Sequence, residues 1–204
     1  DVGDTADRFD SLPSVNGLEF GIDGQVAVLQ ANPKTARPAI VAGGEIRLPT
    51  DTGNHSREYA VFGGPEFNAH NFVFGVHVQI RKIVLPAANV DNQVFARDSL
   101  RLVELPIVIK YKFGPGKKAF AELQGAPEFS PHFRHSPASL VSLPNPSFDH
   151  GYFARGSLGY TFGNWYAKAT YETRYFKFIE NAGNPSNLYN WKSNLISGGI
   201  GFSF

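Results

Sequence analysis

Eight stretches of the chain alternate apolar and polar residues at every second position. That is the period at which a β-strand sends successive side chains to opposite faces. The first, Gly17–Leu29, sets Leu18, Phe20, Ile22, Val26 and Val28 against Glu19, Asp23 and Gln25. In Arg57–Asn68, Tyr59, Val61 and Phe67 oppose Glu58, Ala60 and Glu66. In Asn71–Lys82, Phe72, Phe74, Val76, Val78 and Ile80 oppose His77, Gln79 and Arg81. Ser99–Phe113 sets Val103, Leu105, Ile107, Ile109, Tyr111 and Phe113 against Glu104, Lys110 and Lys112. The fifth stretch, Lys118–Ser130, opposes Ala119, Ala121, Leu123 and Phe129 to Glu122, Gln124 and Glu128. In Phe148–Phe162 the faces are Tyr152, Ala154, Leu158, Tyr160 and Phe162 against Asp149, Arg155 and Ser157. Trp165–Ile179 opposes Trp165, Ala167, Ala169, Tyr171 and Tyr175 to Lys168, Thr170, Glu172 and Arg174. The last, Tyr189–Phe204, carries Ile196, Ile200, Phe202 and Phe204 on one face and Ser193, Leu195, Ser197 and Ser203 on the other.

The links between these stretches alternate in length. Short ones fall near Ala69-His70, at Gly114–Lys117 and at Gly163-Asn164, the last a two-residue hairpin signal. Long ones cover 30–56, 83–98, 131–147 and 180–188. Tight turns at one end and long loops at the other are the layout of up-and-down membrane barrels. The pattern therefore predicts an all-β, eight-stranded, antiparallel, up-and-down transmembrane β-barrel over residues 17–204. It has four long extracellular loops, follows a polar tail over 1–16, and keeps both termini at the short-turn end. Pro65, Pro106 and Pro127 cannot donate to a ladder, so bulges or strand starts are expected at those points.

One face is free of charge in mid-strand; Arg101, Lys177 and Lys192 share its parity only near the long-loop ends. The other face collects the acidic and basic residues. A narrow barrel fills its interior with side chains, and buried charge is tolerated only when paired. Glu104, Lys110, Glu122, Arg155, Lys168, Glu172 and Arg174 are thus expected to form an interior ion-pair network that plugs and stiffens the barrel. Tyr59, Tyr111, Phe113, Tyr160, Phe162, Trp165, Tyr175, Phe202 and Phe204 sit at strand ends, where interfacial girdles form.

Composition changes this picture little. The chain has 204 residues, enough for one domain. A formal charge of +1 makes no electrostatic case for nucleic acid, and the absence of cysteine excludes disulfides and thiolate metal sites. Apolar runs such as Leu105–Ile109 are far shorter than the ~20 residues of a membrane helix. The chain starts at Asp1, which is read as a processed N-terminus.

The end of the chain, Ile196-Ser-Gly-Gly-Ile-Gly-Phe-Ser-Phe204, resembles the C-terminal signature by which outer-membrane barrels are passed to their assembly machinery; Ile200, Phe202 and Phe204 carry it. With Tyr59–Phe67, Val103–Phe113 and Glu172–Tyr175, it makes the chain similar to small bacterial outer-membrane barrel domains. These form the broad eight-strand group that includes the membrane domains of outer-membrane proteins A, X and W. The resemblance covers about residues 17–204. It implies a location in the outer membrane of a Gram-negative cell envelope and contact with outer-membrane lipid. It implies no agreed activity and carries over no catalytic residue.

The candidate chemistry is sparse. His132 and His135 have a His-x-x-His spacing, but the pair falls in a predicted loop with no acidic third ligand nearby, so no metal site is expected. His135-Ser136 invites comparison with outer-membrane lipid A deacylases, but an outward-facing acid to complete the triad is missing. His77 is expected inside the barrel as a network member. No catalytic residue, cofactor or metal is assigned. The expected role is non-enzymatic, structural or partner-binding through the loops, with another outer-membrane or extracellular protein as partner. Two alternatives stay open: a narrow, porin-like channel and a soluble ligand-binding barrel.

Overall fold

The computed structural model describes residues 16–30, 37–49, 57–85, 88–90, 93–95, 98–134, 147–181 and 184–203; among these, the side chains of β1, β6, β7 and several strand ends are outside the description. The chain is all-β. Its elements are β1 (Asn16–Gln30), β2 (Arg37–Pro49), β3 (Arg57–Ala69), β4 (Phe72–Val76), β5 (Val78–Val84), β6 (Ala88–Val90) and β7 (Gln93–Phe95). Then follow β8 (Ser99–Glu104), β9 (Ile107–Phe113), β10 (Ala119–Arg134), β11 (Ser147–Phe162), β12 (Trp165–Asn181) and β13 (Asn184–Ser203). Eleven of these form one sheet, and β6 pairs with β7 in a small hairpin of its own.

The sheet returns on itself. β4 and β5 are two lengths of one stave, interrupted at His77, and β8 and β9 are two lengths of another, interrupted at Leu105-Pro106. Following ladder partners from Gln30 leads through Ala39, Glu66, Gly75, Val108, Gln124, Arg155, Glu172 and Leu195 back to β1 at Gly17. The line comes home thirteen residues from where it left, so the strands are strongly tilted to the axis of the ring.

Nine staves, rather than eight, make the circuit. The added one is β2, in the stretch read from sequence as the longest loop. Its alternation is real: Ala39, Val41, Glu45 and Arg47 are buried, while Ile40, Ile46 and Leu48 are exposed. Gly43-Gly44 at its centre and Pro38 and Pro49 at its ends dilute the signal. An odd number of staves, joined in turn by eight antiparallel steps, forces the closing pair, β1 with β13, to be parallel. β1 therefore begins beside Asn194 and runs toward the tight turns, opposite to the direction expected of the first strand. Residues 1–15 of the expected tail lie outside the described residues. The link expected over 180–188 is also shorter, since β12 and β13 pair as far as Asn181 with Asn184.

The three short connections fall where expected. His70 (φ 54°) turns between β3 and β4, a 3₁₀ turn at Pro115–Lys117 joins β9 to β10, and Gly163 (φ 67°) opens the β11–β12 hairpin. Pro65, Pro106 and Pro127 shift no register. β3 and β10 run through Pro65 and Pro127, and only Pro106 breaks a stave; its carbonyl accepts the His77 N–H at 3.0 Å. Register shifts occur elsewhere, between Ala27 and Leu29 and between Phe129 and His132. Beside the interruption at His77, backbones crowd. A Cβ on Gly64 would be driven into the Val76 carbonyl oxygen and lie 2.9 Å from His77 Cα. Gly64→Ala is therefore expected to cost about 1–3 kcal/mol, as overpacking does, seen as a lower urea midpoint. An unchanged midpoint would mean the two staves part easily at this level.

Candidate functional site

The two faces of the ring differ sharply in polarity. Charged side chains are buried inside and apolar ones are exposed outside: Leu123 and Leu158 are each 64% exposed and Val61 60%, while Arg81, Glu104 and Asp98 are inaccessible. The interior therefore holds whatever chemistry the fold offers.

Its middle is a cluster of five carboxylates, Glu45, Glu58, Glu104, Glu128 and Glu172, and four guanidiniums, Arg47, Arg81, Arg155 and Arg174. Strand periodicity puts them there, since each occupies the inward parity of its stave. Glu172 on β12 meets Arg155 at 2.6 Å, Arg47 at 2.9 Å and Arg174 at 3.2 Å. Arg81 on β5 reaches Glu58, Glu104 (3.3 Å) and Glu45 (3.4 Å). Arg174 extends to Glu104 at 2.9 Å and Glu128 at 3.4 Å. Several pairs join staves that are not neighbours in the sheet. β2 meets β11 through Glu45–Arg155 at 3.2 Å, and β12 meets β8 through Arg174–Glu104. Such pairs span the interior of the ring.

Toward the end opposite the tight turns, the filling becomes apolar. Ile83, Leu85, Leu100 and Leu102 are buried with Phe153 and Phe176, and the Arg174 guanidinium lies 5.4 Å from the Phe153 ring centre. Toward the tight turns, a polar cavity of about 170 Å³ remains, lined among others by Glu66, His77, Gln79, Lys112, Tyr166 and Lys168. Lys110 pairs with Glu122 at 2.7 Å on its wall. His77 stacks on Phe62 (ring centres 5.4 Å, 15°) with Nε2 3.2 Å from Glu66.

All seven side chains expected in the interior network are on the inner face. Glu104, Arg155, Glu172 and Arg174 join the central cluster, Lys110 and Glu122 form a separate pair, and Lys168 lines the cavity. Sequence reasoning missed Glu45 and Arg47 because it missed β2; the alternation around them was the available signal. Glu58, Arg81 and Glu128 had the right parity; Glu58 and Arg81 pair across neighbouring staves, while Glu128 meets Arg174 two staves away. Glu19 and Asp23 lie on β1, whose side chains are outside the described residues. Of the C-terminal signature, Ile200 is exposed and Phe202 packs edge-on against Trp165 at 4.7 Å; Phe204 is outside the described residues. His132 sits on β10 rather than in a loop and is exposed, while His135 and Ser136 are outside the described residues. Among the described residues, no group of three or more potential ligands could hold a metal.

No protein-family model matches the chain, and no curated protein or solved structure matches it.

Proposed function

We propose that the chain is a bacterial outer-membrane β-barrel without enzymatic activity, with a structural role or one in binding a macromolecular partner at the end opposite its tight turns. One observation carries this. On stave after stave the outward positions are uncharged for nine to eleven residues: Tyr59 to Phe67, Phe72 to Ile80, Val103 to Phe113, Tyr152 to Phe162 and Trp165 to Tyr175. A membrane strand needs about 9–11 residues at about 45° of tilt, and a soluble protein gains nothing from an apolar band of constant height. Aromatic residues cluster at both edges, with Tyr59, Tyr152 and Tyr175 at one and Phe72, Phe113, Phe162 and Trp165 at the other. These fit two interfacial girdles. Ile200 and Phe202, at the end of the last strand, fit recognition by the assembly machinery.

The interior disfavours the channel reading, because among the described residues ion pairs span it and buried apolar side chains lie beyond them. The band disfavours the soluble reading, because it leaves more apolar surface in water than monomeric soluble proteins tolerate.

Topology provides the test. With nine staves, the chain passes from β1 to β2 at the tight-turn end and from β2 to β3 at the other. Surface protease on intact cells is expected to cut within 50–56 or 135–146 and to spare 31–36, Gly114–Lys117 and Gly163-Asn164. Cutting at the tight turns would reverse the orientation, and a chain recovered wholly in the soluble fraction would end the membrane reading.

A further inference from the structure

We propose that outward-facing cations at the end opposite the tight turns form a docking belt for phosphate-bearing lipid headgroups. This rests on the membrane reading and deepens it. Just beyond the apolar band, the first charged outward residues are basic on one stave after another: Arg57 on β3, Lys82 on β5, Arg101 on β8, Lys177 on β12 and Lys192 on β13.

Their placement is unfavourable as it stands. Lys82 is the direct ladder partner of Arg101, and Arg101 is the direct partner of His132. All three are exposed, and Lys82 and Arg101 make no ion pair among the described residues. Like charges set directly opposite one another on a sheet destabilise it. An anion lying across β5 and β8 would reverse the sign of that interaction, and the arginine fork matches phosphate oxygens.

The surroundings specify what carries the phosphate. Two residues toward the tight turns, Lys82 and Arg101 give way to Ile80 and Val103, both exposed and apolar. A partner seated here must place an anionic head on the cations and an apolar tail along the band. A phospholipid or phosphorylated glycolipid does both, whereas free phosphate would meet only the head. The other rim of the band is edged by Phe72, Phe113, Phe162 and Trp165, and the exposed Lys117 and Lys118 at that end belong to a single turn rather than to successive staves. The belt therefore distinguishes the two leaflets. On β12, Lys177 is already 3.3 Å from Asp149, so the β5–β8 pair is the stronger part of the site.

The test uses the full chain refolded into phosphatidylcholine vesicles, with folding scored separately by heat-modifiable gel mobility. Spin-labelled phosphatidic acid and spin-labelled phosphatidylcholine report the lipid in contact with the protein. A preference for phosphatidic acid is expected that weakens as salt rises. It should fall roughly fivefold for each cation removed in Lys82→Gln and Arg101→Gln, and persist in Arg101→Lys and in Lys118→Gln at the far turn. A folded protein with no preference, or with one that salt and K82Q/R101Q leave unchanged, overturns the belt alone. Failure to fold into any vesicle overturns the membrane reading itself.

Discussion

Arg81→Leu is expected to lower stability by about 3–5 kcal/mol, the cost of removing one partner from a buried ion pair. Arg81 is fully buried, and its guanidinium is shared by Glu58, Glu104 and Glu45, contributed by β3, β8 and β2. Leucine would leave three buried carboxylates one cation short, with only Arg47, Arg155 and Arg174 to offset them. The penalty comes from the charges left behind, so it is reversible in part. Adding Glu58→Gln to R81L should recover stability relative to R81L alone, although E58Q in the wild-type background is itself destabilising. The temperature at which heat-modifiable gel mobility is lost measures all four proteins of this cycle. An additive result would mean that the two side chains are solvated independently and that the lumen is wider than the cross-lumen distances imply.

Ile107→Arg tests the other face, with an expected cost of about 2–4 kcal/mol in vesicles. Ile107 is 59% exposed near the middle of the uncharged run from Val103 to Phe113. In the proposed orientation it faces acyl chains, where a guanidinium loses its hydration. The same substitution at Tyr111, closer to the tight-turn rim, should cost only about 0–1 kcal/mol, because the charge can reach the interface. Urea midpoints of the vesicle-embedded variants give the comparison. A depth profile in which both positions cost the same would argue that this surface is covered by protein or water. A spin label at Ile107 relaxed by a water-soluble agent and not by oxygen would argue the same.

The two faces of this chain were legible because strand periodicity is local. Whether Val76 or Ile107 points outward depends only on its neighbours at two-residue steps, and both are exposed. The tight turns were legible for a similar reason, since Gly163 and Gly114 supply positive φ at the point of reversal. β2 was lost where the local signal weakens: two consecutive glycines interrupt the alternation, and prolines mark both ends. That one omission changed the strand count, the direction of β1 and the sense of the closing pair. It also assigned to a long loop what is a wall of the ring that supplies Glu45 and Arg47.

Sequence by itself thus determined an all-β chain with one charged and one apolar face, because side-chain direction in a strand is set by parity alone. Only the tertiary structure decided which charges meet. Arg47 finds Glu172 at 2.9 Å across 125 residues of chain, and Arg174 finds Glu104 across 70. Those pairings depend on how far each stave is displaced along its neighbour. The displacement accumulates around the ring and is settled only when β1 closes against β13, a constraint on the whole circuit that no single stretch of sequence contains.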